Sequence, residues 1–163
     1  MMNRRKISRK VKKIACIASL LAACSGSDVF AREGVGVGLI VGEPTGVSMK
    51  YWLDNSTAID AALAVSLSDN NNPFQFHADY LVHSKRSITP SELKGRFPWY
   101  YGIGGRIKNS HETEVGVRVP VGITYLFADT PIDLFAEIAP VLDVAPTVRL
   151  GLNGAAGIRF YLP

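Results

Sequence analysis

His77, Asp79 and His83 stand two and four residues apart. In an extended strand all three would point to one face, with about 6.6 to 7 Å between same-face positions two residues apart. Imidazole beside carboxylate can hold a metal ion or move a proton. A strand lining a narrow interior would carry the same residues for another reason, since buried polar groups must find hydrogen-bond partners. No second histidine-rich strand completes a ligand set, so the expectation is a hydrogen-bonded network without metal or cofactor. Ser84 follows His83 directly, but adjacent strand residues point to opposite faces, which separates a hydroxyl nucleophile from its base. No catalytic residue is expected.

The other charged residues fall into a wider pattern. Lys50, Asp60, His77, Asp79, Arg106, Arg118, Asp133, Glu137 and Arg159 are the expected members of an interior polar network, with Arg149 a further candidate. Cations and acids are nearly balanced among them, as a narrow interior requires, because a buried charge is costly unless paired.

What must position these residues is a set of strands. From Val115 to Phe127 every second residue is apolar: Val115, Val117, Val119, Val121, Ile123, Tyr125 and Phe127. Gly116, Arg118, Pro120, Gly122, Thr124 and Leu126 lie opposite. The same split recurs at Phe74 to Val82, at Ile59 to Leu67 and at Ile132 to Ile138. Weaker alternation runs through Val35 to Val41, Val47 to Leu53, Tyr101 to Ile107 and Thr147 to Leu162. No window beyond Arg32 has a helical apolar period, so the domain is expected to be all-β with about eight strands. Turn chemistry separates them at 42–45, 54–56, 68–73, 109–114, 128–131 and 143–146, and only 84–98 is long.

Alternation alone also fits a soluble barrel. A soluble barrel fills its interior with bulky apolar groups and shows charge to water. Here the apolar face is almost free of charge on every strand, whereas the other face mixes Gly and Ala with Asp, Glu, Lys and Arg. That composition puts lipid outside and a packed polar lumen inside. A closed sheet also satisfies every backbone donor and acceptor where no water can. Aromatic residues gather toward strand ends, at Tyr51-Trp52, Phe74-Phe76, Trp99-Tyr100-Tyr101, Tyr125-Phe127 and Phe160-Tyr161, as at a headgroup boundary. The expected architecture is an eight-stranded antiparallel up-and-down transmembrane β-barrel over residues 32–163, preceded by a helical signal peptide over 1–31.

The leader reads from charge. The stretch from Asn3 to Lys13 carries seven cations, and Ile14 to Ala23 then runs apolar. Ten residues at about 1.5 Å each span about half of a ~30 Å hydrocarbon core, too little for a permanent helix and suited to a Sec-type export signal. Val29-Phe30-Ala31 fits cleavage after Ala31, and Leu21-Ala22-Ala23-Cys24 fits a lipobox with Cys24 lipidated. Both processing routes stay open. The formal charge of +4 belongs to this leader, which holds seven of the eighteen Lys and Arg beside a single acid, Asp28. From Arg32 on, eleven bases face thirteen acids, a net of −2, so no nucleic-acid surface is expected. Cys16 and Cys24 also lie in the leader, and the remaining chain has no cysteine for a disulfide or a metal site.

Gly42-Glu43-Pro44-Thr45-Gly46, Lys50-Tyr51-Trp52-Leu53, His77-Ala78-Asp79-Tyr80-Leu81, Tyr100 to Arg106 and Val117 to Gly122 together resemble an uncharacterised family of small bacterial outer-membrane β-barrel proteins. Its members are similar in architecture to the OmpA transmembrane domain and OmpX. The likeness spans nearly the whole chain after the leader, and it implies fold and outer-membrane location. Gly157 to Leu162 also resembles the terminal signal read by the barrel-assembly machinery, although Leu162-Pro163 stands in place of a terminal aromatic.

Three functions remain open on this basis. The first is a non-enzymatic structural or surface-interaction barrel, a monomer with outer-membrane lipid and the assembly machinery as partners. The others are a lipid-modifying barrel enzyme and a soluble periplasmic ligand-binding barrel.

Overall fold

A computed structural model describes residues 34–67, 73–85, 95–109 and 112–162 of the chain. The leader, its cleavage and lipidation signals and most of the long 84–98 segment lie outside the described residues.

Ten strand segments form one antiparallel sheet: β1 (Val35–Glu43), β2 (Thr45–Trp52), β3 (Thr57–Val65), β4 (Phe74–His83), β5 (Gly95–Arg96), β6 (Trp99–Asn109), β7 (Thr113–Arg118), β8 (Val121–Phe127), β9 (Ile132–Ala145) and β10 (Arg149–Tyr161). Two prolines explain why there are ten rather than eight. Pro98 and Pro120 have no N–H for the ladder, so pairing breaks at each. Register nevertheless runs through both breaks, because Gly95 pairs with Phe127, Trp99 with Ile123 and Gly104 with Arg118. The proline carbonyls still accept, from Gly102 N at 2.9 Å to Pro120 O and from Thr124 N at 3.0 Å to Pro98 O. β5 and β6 thus make one wall strand, and β7 and β8 make another. The sheet closes where β10, already paired with β9, also pairs with β1, Gly36 facing Tyr161. The result is a closed barrel of eight antiparallel strands with no helix among the described residues.

Side-chain facing follows the alternation. Leu63, Ile103 and Ile138 are 53%, 60% and 57% exposed on the outer surface, whereas Lys50, Asp133 and Gln75 are fully enclosed within. The paired aromatics divide between the two faces. Tyr51, Trp99 and Tyr101 point outward, and their neighbours Trp52 and Tyr100 point inward. Phe74 and Phe76 are exposed outside at the start of β4, near one end of the barrel, while Tyr51 and Tyr125 lie near the end where β1 begins and β10 finishes. The connection between β4 and β5 opens at that same end.

The β2–β3 turn shows local sequence chemistry setting register. Asp54 Oδ1 accepts from Ser56 N at 2.7 Å, from Ser56 Oγ at 2.8 Å and from Thr57 N at 2.9 Å. This is the side-chain-to-backbone turn that Asp favours. The Thr57 hydroxyl, then the Ser56 amide and hydroxyl, hold the Asp54 carboxyl well below its ordinary value. A depressed acid contributes stability that is present above its unfolded value, about 3.9, and is lost as pH falls toward the folded one. We expect the Asp54 carboxyl signal in a carbon-13 titration to remain that of the ionised form at pH 3.9, and half-protonation there would contradict this turn.

Candidate functional site

Among the described residues the barrel interior holds three polar groups, the first two joined through Tyr100. Near the end where β1 begins, Lys50 Nζ lies 2.8 Å from His83 Nε2, and 4.5 Å and 5.4 Å from the ring centroids of Trp52 and Tyr100. Trp52 Nε1 donates to Tyr161 Oη at 3.1 Å, and Tyr161 Oη donates to Asp133 Oδ2 at 2.6 Å. Arg159 ties this group to β2 and β3. Its Nη2 donates to Asp60 Oδ1 at 2.7 Å and its Nε to Ser48 Oγ at 2.9 Å, while the guanidinium stacks 3.7 Å from the Phe135 ring.

At mid-barrel, Arg118 Nε approaches Asp79 Oδ2 at 3.1 Å and Nη2 pairs with Glu137 Oε1. Tyr100 Oη donates to Glu137 Oε2 at 2.9 Å. Toward the other end, Arg106 Nη2 binds both oxygens of Asp143 at 2.6 Å, and Glu114 lies 3.8 Å from Arg106 and from Lys108.

Glycines on intervening strands make these contacts possible. Gly38 sits in register between Ser48 and Arg159, and Gly104 between Asp79 and Arg118. Gly116 sits between Arg106 and Asp143, and Gly122 between Tyr100 and Glu137. Each pair joins across a strand that offers no side chain at that point. A Cβ at Gly122 would collide with the Tyr100 ring and hydroxyl, and one at Gly154 would meet nothing within 4 Å. Overpacking a filled interior costs about 1 to 3 kcal/mol. Gly122→Ala should therefore lower the unfolding midpoint of the folded barrel in urea, with Gly154→Ala close to wild type. Equal midpoints would show that Tyr100 does not reach Glu137 through that gap.

The nine residues expected in the interior, Lys50, Asp60, His77, Asp79, Arg106, Arg118, Asp133, Glu137 and Arg159, are all buried within the barrel. The structure divides the histidine group, however. His83 belongs with Lys50, whereas His77 and Asp79 come within 4.8 Å of Asp60 on the neighbouring strand. Arg149 is not inside. It lies exposed at the start of β10, beside the β9–β10 turn and past the end of β1, although its parity matches that of Arg159. Asp143, read from sequence as the start of a turn, is a buried strand residue bound to Arg106, because β9 continues to Ala145. Tyr161, expected at the headgroup boundary, points inward, and its parity with Arg159 was the available signal.

No protein-family model matches the chain, and no curated protein matches its sequence. Two solved structures are similar in fold. The amino-terminal β-barrel domain of Pseudomonas aeruginosa OprF superposes with a TM-score of 0.58 at 13% identity, over 80% of this chain and 98% of that one. Neisserial surface protein A gives 0.44 at 12% identity, over 78% and 93%. The likeness to the OprF domain is one of fold: a closed antiparallel barrel of eight strands.

Proposed function

We propose that the protein is a small outer-membrane barrel with a plugged lumen, serving a structural or surface-interaction role, neither a general porin nor an enzyme. The observation that carries this reading is the contrast between the two faces of one wall. An outer surface of Leu, Ile, Val and aromatic rings suits lipid, and charged chains inside tie together strands that are not sheet neighbours, Arg159 on β10 to Asp60 on β3 and Arg118 on β7 to Asp79 on β4. An eight-stranded barrel has an interior only wide enough for side chains to fill. The shared fold with the OprF domain supports the same location. A lipid-modifying enzyme would need His83 at an accessible rim, but its ring is enclosed between Trp52 and Tyr100 and its Nε2 meets Lys50. A monomer is the simplest state, since pairing of β10 with β1 closes the sheet and leaves no free wall edge among the described residues for a second copy to extend.

Membrane fractionation tests the location. The protein should partition with outer membranes and migrate at a different apparent mass when heated before electrophoresis, whereas release with the soluble periplasmic fraction would overturn the reading. In planar bilayers, purified monomer should give no steady porin-sized conductance. Stable large channels would show that the ionic plug does not hold.

A further inference from the structure

Asp60 on β3 and Asp79 on β4 are direct register partners with both side chains inside the barrel. Like charges directly opposite one another destabilise a sheet. Each carboxylate has a cation on one oxygen, Arg159 at Asp60 Oδ1 and Arg118 at Asp79 Oδ2, which leaves each a second oxygen. In this part of the interior Lys50, Arg118 and Arg159 meet four carboxylates, Asp60, Asp79, Asp133 and Glu137. With all four carboxylates ionised this set would carry one excess negative charge, and the register pairing of Asp60 with Asp79 would concentrate it there; Arg106, the register partner of His77 on β6, is itself bound to Asp143.

An independent observation points to what balances it. His77 is 1% exposed, and neither ring nitrogen has a hydrogen-bond partner among the described residues. One ring nitrogen and one oxygen from each aspartate all lie within 4.8 Å of one another. His77 faces Ala62 across the β3–β4 ladder, and that small side chain leaves the imidazole room beside Asp60.

We propose that Asp60, His77 and Asp79 form a binding site for a divalent first-row transition-metal ion inside the barrel. One imidazole nitrogen and two carboxylate oxygens make a mixed donor set that suits Zn²⁺ or Mn²⁺ better than an all-oxygen ion such as Ca²⁺. Ligand distances of about 2.0 to 2.2 Å put tetrahedral donor atoms about 3.4 Å apart, so side-chain rotation must draw the three slightly closer. Arg118 and Arg159 then act as partners of the outer oxygens and orient the carboxylates, as second-sphere groups do in metal sites. The ion bridges β3 and β4 at mid-barrel, beside the ion pairs that plug the lumen.

The test uses protein extracted in detergent from membranes of cells making the full chain, treated with a chelator and titrated with Co²⁺ and Zn²⁺. Wild type should bind one equivalent of Co²⁺ with visible d–d absorption, and Zn²⁺ should displace it. His77→Gln and Asp79→Asn should each lose that equivalent while keeping the heat-dependent shift of a folded barrel. His83→Gln, which leaves the cluster intact, should retain it. No saturable equivalent in wild type, or full binding by folded His77→Gln protein, would overturn the proposal. So would an infrared band of a protonated carboxylic acid that persists with Co²⁺ present and vanishes in Asp79→Asn, because a shared proton would then balance the pair.

Discussion

Arg118→Ala is expected to destabilise the folded barrel by about 3 to 5 kcal/mol, the cost of breaking a buried ion pair by removing one partner. The guanidinium is 1% exposed and stands between Asp79 and Glu137, so its loss strands two carboxylates in the interior at once. Tyr100 continues to donate to Glu137 but supplies no charge. The mechanism has a second consequence. Replacing all three charges with neutral groups of similar shape, as in Arg118→Met with Asp79→Asn and Glu137→Gln, should recover most of the loss, because no uncompensated charge remains. Tryptophan fluorescence during urea unfolding of the lipid-reconstituted barrel measures both variants. A single variant within about 1 kcal/mol of wild type would mean that water reaches the site and screens it.

On the outer face, Val121→Arg should cost about 2 to 4 kcal/mol, the range for a cation facing lipid at mid-membrane. Val121 is 44% exposed, lies near the middle of the wall strand made by β7 and β8, and pairs with Tyr101 on one side and Ile138 on the other. Neither neighbour offers a counter-charge. Val121→Ala, which brings no charge, should fold nearly as wild type. The yield of heat-modifiable barrel in membranes and the urea midpoint in liposomes both report the difference. If the arginine variant matched the alanine variant in each, that face would be meeting water and the membrane reading would fail with it.

Lumen and outer faces differ in how such changes are expected to act. An interior change acts through the partners it leaves behind, so compensating substitutions can repair it. An outer-face charge has no partner to restore, and only its removal helps.

Strand number and the facing of each side chain were legible in the sequence because both are local. Residues i and i+2 share a face whatever the rest of the chain does, so the runs at 115–127 and 132–138 show their outer surfaces unaided. Composition then separates an apolar outer face from a polar inner one, and the interior residues from Lys50 to Arg159 follow from parity alone. Parity could not show where a strand stops pairing. Arg149 has the interior parity and lies outside the lumen, and Asp143 stands in turn-like sequence yet sits inside. Nor could it name partners. Whether His77 meets Asp60 depends on the stagger of β3 against β4, and whether Arg118 reaches Asp79 depends on a glycine of a third strand falling between them. Those relations join residues far apart in the chain, and only the closing of β10 onto β1 fixes which of them share the interior.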